Sequence, residues 1–216
     1  MSTDTHDLIE KLSNDVTPVR VLPRAGFRAI FLSLWALALA LLILEQVHPP
    51  RTDLAATFQS PIYLAQGFVM MIAGLLAAFA AFKLSIPDTR LRRPVVSSLA
   101  SATALWGFLI VIELFKAPAE MPEAAPSCFI GLTIGMSAPL VLGLIMMMRS
   151  APVWRGWAGY AMVLSVGSFA ALVMRFICPD DSPGHLLVWH FLPVLALTLP
   201  GALLGKILLN FNLAKK

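Results

Sequence analysis

Charged residues are scarce in this chain. Asp, Glu, Lys and Arg make up 13% of its 216 residues, about half of the roughly 25% found in ordinary soluble domains. Hydrophobic residues make up 58%, and the mean hydropathy is +0.81. A globular core of this size needs far less apolar surface. The composition therefore excludes a water-soluble domain and indicates a membrane protein.

Cysteine is almost as scarce. Cys128 and Cys178 are the only two in the chain, and no Cys-x-x-Cys or His-x-x-x-His spacing occurs. Membrane enzymes of thiol–disulfide exchange need a reactive Cys-x-x-Cys pair and a second pair that relays electrons. The apolar stretches also lack the cluster of acids or histidines through which ion-coupled transporters move charge. We therefore predict a protein that is not an enzyme and needs no cofactor.

Six apolar stretches approach or exceed the roughly 18 residues that cross a bilayer core. The chain is therefore predicted to be an all-α, polytopic membrane protein with six transmembrane helices in a compact bundle, residues 26–212. Connections between the spans are short, which leaves residues 1–25 as a separate tail. The predicted spans are about 27–45, 62–83, 95–115, 128–148, 154–177 and 186–210.

The distribution of lysine and arginine predicts the orientation. With a cytoplasmic N-terminus, only Arg51, Lys116 and Arg175 lie outside, and the other thirteen of the sixteen basic residues lie inside. Positively charged loops resist translocation. Both termini are therefore expected in the cytoplasm, with both cysteines at the opposite face of the membrane.

The tail is predicted to form a short amphipathic helix. Its apolar residues recur at a spacing of four with one adjacent partner, which places them on one helix face: Leu8, Ile9, Leu12 and Val16. So short a helix is marginal in water, so we expect it to fold against a protein groove or the lipid headgroups. Acids in its first half favour the groove, whereas Arg20, Arg24 and Arg28 are expected to bind anionic lipid. On composition alone, a frayed terminus stays an alternative.

The two cysteines are predicted to lie at one face of the membrane. Cys128 begins the fourth span and Cys178 ends the fifth, so their sulfur atoms come within reach of each other if the spans pack side by side. Such a pair is a disulfide staple, a redox pair or part of a metal site. Arg175, one helical turn before Cys178, either favours its thiolate or extends to the membrane interface.

Two histidines lie near the cysteines in the predicted topology. His185 and His190 stand at the start of the sixth span, on the same side. With Cys128 and Cys178 they form a conceivable metal site of two sulfur and two nitrogen ligands. The interpretation favoured for His190, beside Trp189, is a polar residue of the interfacial belt or a hydrogen-bond donor between helices.

Several motifs occur together in this chain. Near its start it reads Thr5-His6-Asp7-Leu8-Ile9-Glu10-x-Leu12 and then Thr17-Pro18-Val19-Arg20-x-Leu22-Pro23, and Cys178-Pro179 precedes Trp189-His190. Together with the six spans, these motifs resemble the negative regulator of sigma F family. The resemblance implies a bacterial inner-membrane anti-sigma factor that controls an extracytoplasmic-function sigma factor. It implies that the tail holds the sigma factor and that two periplasmic cysteines receive a stress signal such as heavy metals or oxidants.

The sequence and the resemblance together give one functional hypothesis. The tail binds the sigma factor through Asp7, Leu8, Ile9, Glu10, Leu12 and Val16, while Cys128 and Cys178 sense stress, with Arg175, His185 and His190 as modulators. The expected partners are the sigma factor and membrane lipids, without direct contact to nucleic acid. Two GxxxG pairs, Gly131/Gly135 and Gly201/Gly205, argue for close helix packing without establishing a homodimer. A membrane thiol-redox protein and a small metal or solute permease are the alternatives.

Overall fold

A computed structural model describes residues 2–14, 22–47, 50–86, 92–116, 125–150 and 152–209. All regular secondary structure in these ranges is helical. Val16 and Arg20 of the predicted tail lie outside the described residues. The elements in chain order are α1 (Ser2–Asn14), α2 (Ala25–Val47), α3 (Leu54–Thr57), α4 (Pro61–Leu84), α5 (Arg92–Lys116), α6 (Pro126–Met148), α7 (Arg155–Met174), α8 (Pro183–His185), a π-helix (Leu186–Phe191) and α9 (Leu192–Leu208).

Six helical segments in the described ranges are long and apolar enough to cross a membrane. They agree with the predicted spans to within three residues, so the six-span, all-α fold is confirmed. Proline occupies the first turn of several helices, where its missing N–H costs no hydrogen bond. The six segments are Ala25–Ile43, Pro61–Leu84, Arg93–Lys116, Pro126–Met148, Arg155–Met174 and Pro183–Leu208.

Helix α7 is the centre of the bundle. It packs against α2, α4, α6 and α9, and 89% of its membrane-spanning window is buried. Small residues make this possible, because a Cβ on Gly159 would collide with the carbonyl of Gly201, and one on Gly205 with the carbonyl of Arg155. A hydroxyl also joins α7 to α4, where Ser165 Oγ donates to the Gly74 carbonyl at 2.9 Å.

Both GxxxG pairs are used within the chain. Gly201 and Gly205 form the close contact between α9 and α7, and Gly131 and Gly135 are buried in α6. These glycines therefore account for the compact bundle and give no support to a homodimer, which stays a prediction.

The last span contains a turn that periodicity did not predict. Between α8 and α9 the chain widens into a π-helix, in which the Leu192 N–H bonds the carbonyl of Leu187, five residues back. Pro193 follows and has no N–H to offer the carbonyl of Trp189, so a regular α-helical ladder cannot run through this turn. The π-helix carries His190 and is the type of irregularity that often occurs at functional sites.

At the end of the bundle away from the cysteines, Arg28 joins α2 to α6. Its Nη2 donates to the Met146 carbonyl at 2.6 Å and to Ser150 Oγ at 2.9 Å, and the guanidinium lies 4.3 Å from the ring centre of Phe82. The side chain is buried. The prediction that Arg28 binds lipid headgroups is therefore wrong, because its guanidinium is buried against a carbonyl, a hydroxyl and an aromatic ring of the protein. Arg24 is exposed.

Candidate functional site

The fold brings the two cysteines together. Cys128 lies in the first turn of α6 and Cys178 lies four residues beyond the end of α7. Their sulfur atoms are 3.6 Å apart, both side chains are buried, and both are free thiols. We refer to the half of the bundle that contains them as the cysteine end.

His185 contacts this pair directly. Its Nε2 lies 3.3 Å from Cys178 Sγ, and its Nδ1 lies 3.2 Å from a carboxylate oxygen of Asp180. The backbone N–H of His185 donates to Ser182 Oγ, the N-cap of α8. The ring is therefore held between a carboxylate and a thiol.

His190 completes the group from the π-helix. Its ring centre lies 5.3 Å from that of His185, and it is 1% exposed. One ligand atom from each of Cys128, Cys178, His185 and His190 lies within 4.8 Å of each of the others. Neither ring nitrogen of His190 has a hydrogen-bond partner among the described residues. His190 is thus neither a belt residue at the surface nor a donor between helices, and the favoured interpretation of it is wrong.

Arg175 supports the site without contacting a sulfur atom. Its Nη1 donates to Gln66 Oε1 at 2.6 Å, its Nη2 lies 3.3 Å from Asp181, and its guanidinium lies 4.2 Å from the ring centre of Tyr63. The Tyr63 hydroxyl donates to the Arg175 carbonyl at 3.0 Å. The Arg175 side chain is 2% exposed and therefore does not extend to the membrane interface. Burial lowers the pKa of Arg175, partly offset by Asp181.

The electrostatics do not favour a free thiolate at Cys178. Its contact with Cys128 and then burial raise its pKa above the ordinary value, and the contact with His185 only partly opposes this. The prediction that Arg175 favours the thiolate of Cys178 finds no support in this geometry. The resting state of Cys178 therefore favours the protonated thiol.

Arg51 fixes the segment that holds Cys178. Its guanidinium donates to both oxygens of Asp53, at 2.6 and 2.7 Å, and to Asp181 at 2.5 Å. It also donates to the carbonyls of Cys178 at 3.1 Å and Pro179 at 3.3 Å. The hydrogen bond with Asp53 contributes most to raising the pKa of Arg51, and it lowers the pKa of Asp53. Arg51 therefore ties the loop before α3 to the loop after α7.

A cavity connects the cysteines with the surface. It has a volume of about 440 Å³ and is lined by Pro50, Arg51, Ser127, Cys128, Ile177 and Cys178, among others. Small oxidants and metal ions fit a space of this size. The sulfur atoms are thus buried yet reachable from the cysteine end.

The comparisons with known proteins agree with this architecture. The family model described as negative regulator of sigma F matches residues 12–211. The chain belongs to this family. It is 29% identical over 223 residues to the anti-sigma-F factor NrsF of Caulobacter vibrioides, covering 96% of this chain and 99% of that protein. It is 25% identical over 214 residues to the probable anti-sigma-F factor NrsF of Azospira oryzae, with the same coverage. No solved structure matches.

In this member of the negative regulator of sigma F family, the tail forms a helix as predicted. The apolar residues Leu8, Ile9 and Leu12 of helix α1 are 57%, 61% and 61% exposed to solvent. Asp7 and Glu10, its predicted acidic contacts, are exposed as well. An apolar helix face that stays open in the monomer is suited to bind another molecule.

Sequence reasoning missed the polar groups that support the site. Tyr63 and Gln66 of α4, and Asp180 and Asp181 of the loop after α7, gave no motif, because the two pairs lie more than 100 residues apart in the chain. One signal was present. Arg51 and Arg175 are two of the three basic residues on the predicted outer side, against the general distribution of charge, and both are buried at this site.

Proposed function

We propose that this protein is an anti-sigma factor whose tail, residues 1–25, sequesters an extracytoplasmic-function sigma factor and whose bundle, residues 26–212, releases it under stress. The family membership and the names of two relatives along nearly the whole chain support the anti-sigma function. The observation that carries the proposal is that one chain combines two features: a buried thiol pair that small molecules can reach, and an amphipathic helix whose apolar face is exposed.

The tail is the proposed binding element. A sigma factor binds DNA and therefore presents basic surfaces. Helix α1 offers it an apolar face of Leu8, Ile9 and Leu12 with Asp7 and Glu10 beside it, and Val16 extends this face in sequence. Binding of this helix masks the surface of the sigma factor that DNA needs, and we expect no direct contact between this protein and nucleic acid.

The proposed location is the bacterial inner membrane, with both termini in the cytoplasm and the cysteine end in the periplasm. The excess of lysine and arginine in the segments assigned to the cytoplasm supports this orientation. The exposed apolar side chains along the spans contact lipid. In this arrangement the thiols face an oxidising compartment and the tail faces the transcription machinery.

Helix α6 is the proposed route between the two ends. It carries Cys128 in its first turn, and the carbonyl that accepts from Arg28 belongs to Met146 near its other end. Arg28 lies in the first turn of α2, directly after the tail. A displacement of α6 caused by chemistry at Cys128 therefore changes the point at which the tail enters the bundle.

Metal binding at the thiol pair supplies enough free energy for such a switch, whereas disulfide formation supplies only part of it. A change from mostly bound to mostly free requires about 5.5 kcal/mol of differential stabilisation. A disulfide contributes about 2–4 kcal/mol and metal–thiolate bonding at a structural site about 10 kcal/mol or more. By these figures oxidation of the thiol pair gives partial release of the sigma factor, whereas binding of a heavy metal is enough for full release.

The tail assignment is tested by co-purification. Full-length protein in detergent is tested against each sigma factor of its host, and Leu8→Asp with Leu12→Asp is expected to abolish binding of the cognate one. Asn14→Asp adds one negative charge on the opposite, exposed face of α1 and should bind normally. Unchanged binding by the double variant would show that the tail is not the binding element.

The sensing assignment is tested in cells with a reporter of the sigma factor. Cys128→Ser and Cys178→Ser should each keep repression and lose induction by oxidants or cadmium. Ser137→Ala, an exposed change on the same helix, should respond normally. Normal induction in both cysteine variants would refute the sensing role.

A further inference from the structure

The group of Cys128, Cys178, His185 and His190 has the composition of a four-coordinate metal centre. Its four ligand atoms lie within 4.8 Å of one another and all four residues are buried. We propose that these residues form a Cys₂His₂ centre for a soft divalent cation such as Zn²⁺ or Cd²⁺. This inference rests on the proposed sensing function and identifies the ligand of that site as a metal cation.

The distances are close to those of a tetrahedral site. Bonds of about 2.3 Å to sulfur and 2.0 Å to nitrogen place two sulfur ligands about 3.8 Å apart and a sulfur and a nitrogen about 3.5 Å apart. The sulfur atoms of Cys128 and Cys178 are 3.6 Å apart, and Cys178 Sγ lies 3.3 Å from His185 Nε2. The remaining pairs of ligand atoms lie within 4.8 Å of each other, so each separation has to shorten by at most about 1.5 Å to reach the tetrahedral value.

His190 is the independent observation that points to a ligand. Its ring is 1% exposed and neither nitrogen has a hydrogen-bond partner in the described part of the chain. An unpaired polar group in an apolar interior is costly, so a buried imidazole usually has a partner. The π-helix brings this ring beside His185, where a metal bond provides that partner.

Asp180 prepares His185 as a ligand. Histidines that bind metals usually donate their other ring N–H to a carboxylate, which fixes the tautomer and orientation. Asp180 lies 3.2 Å from Nδ1 of His185, on the side away from Cys178. This contact leaves Nε2 free to bind the cation.

The charge balance suits a buried site. When a divalent cation enters, the two thiols lose two protons to the solvent, and the two histidines bind as neutral ligands. The net charge of the group is therefore unchanged, which avoids the cost of a buried charge. Both thiolate and imidazole ligands favour zinc-like cations over Mg²⁺ or Ca²⁺.

The experiment is a titration of reduced, metal-free, full-length protein in detergent with Co²⁺ alone, followed by absorption. We expect one Co²⁺ per chain, with a thiolate-to-cobalt charge-transfer band and the intense visible bands of tetrahedral coordination. Zn²⁺ and Cd²⁺ should displace the Co²⁺. An octahedral spectrum, or no binding, would overturn the proposal.

Variants identify the ligands. Each cysteine-to-serine change should remove about half of the charge-transfer band. His185→Gln or His190→Gln should change the visible bands and weaken binding more than a change at Asp180 does. Asp180→Asn should weaken binding about 10- to 100-fold with unchanged band positions. His6→Gln, in the exposed tail, should bind as the unaltered protein does.

A second variant at His190 separates the loss of a metal ligand from the loss of folding. His190→Cys supplies another metal ligand and should recover binding with a stronger charge-transfer band. Binding by His190→Gln equal to that of the unaltered protein would exclude His190 as a ligand. Sigma-factor capture is measured on the same samples: absent Co²⁺ binding with normal capture overturns only the metal centre, and normal Co²⁺ binding without capture overturns only the anti-sigma function.

Discussion

Replacing Arg51 by methionine should release the segment that carries Cys178. The side chain of Arg51 is 4% exposed and holds Asp53, Asp181 and the carbonyl of Cys178. Removing one partner of a buried ion pair costs up to about 3–5 kcal/mol, and an orphaned buried carbonyl costs about 1–3 kcal/mol. Asp53 is 53% and Asp181 is 30% exposed, so water compensates part of the loss. We expect a cost of about 2–4 kcal/mol for the closed state of this segment.

The assay for this change is alkylation of Cys178, followed by mass spectrometry of its peptide. When the segment that carries Cys178 opens and closes faster than the thiol is alkylated, the alkylation rate is proportional to the population of the open state. A cost of 2–4 kcal/mol then corresponds to about 30- to 700-fold faster alkylation.

Lys116→Met is the matched control for Arg51→Met. Lys116 is an exposed cation at the cysteine end, and its pair with Glu113 is worth less than about 1 kcal/mol. Equal rates in Arg51→Met and the unaltered protein would refute the reasoning, as would an equal acceleration in Lys116→Met.

Three further predictions follow from the same structure. Arg51 lowers the pKa of Asp53, so the stabilisation that this ion pair gives the folded protein is complete above the ordinary aspartate pKa of about 3.9 and is lost as the pH falls through the lower pKa of the folded state. The difference in melting temperature between Asp53→Asn and the unaltered protein should therefore vanish as the pH falls through that range. A difference that persists there would contradict this. Gly205→Ala should cost about 1–3 kcal/mol in unfolding by SDS titration, because its Cβ meets the Arg155 carbonyl, whereas Gly26→Ala, with nothing within 4 Å, should be neutral. Arg28→Met should leave alkylation of the cysteines unchanged but prevent stress-induced release of the sigma factor in the reporter assay. Arg24→Met should respond normally. Normal release in Arg28→Met would exclude α6 and Arg28 as the route between the cysteine end and the tail.

The sequence alone determined the number, the limits and the helical nature of the spans. These properties depend on local composition, because a stretch of about 20 apolar residues must satisfy its backbone hydrogen bonds within itself when it lies in lipid. The proximity of Cys128 and Cys178 was predicted on the condition that the fourth and fifth spans pack side by side, and the contact between α6 and α7 meets this condition. The exposed face of α1 followed in the same way from a spacing of four.

Only the tertiary structure decided which polar side chains meet. Arg28 was predicted to bind lipid and Arg175 to favour a thiolate or reach the interface, yet each is buried among protein groups. His190 was predicted to be a residue of the interfacial belt or a hydrogen-bond donor between helices, whereas the π-helix before Pro193 places its ring beside that of His185. Hydropathy averages over a whole helix, whereas the direction of a single side chain depends on the rotation of that helix against its neighbours. That rotation is set by packing contacts between residues far apart in sequence, such as those of Gly159 with Gly201 and Gly205.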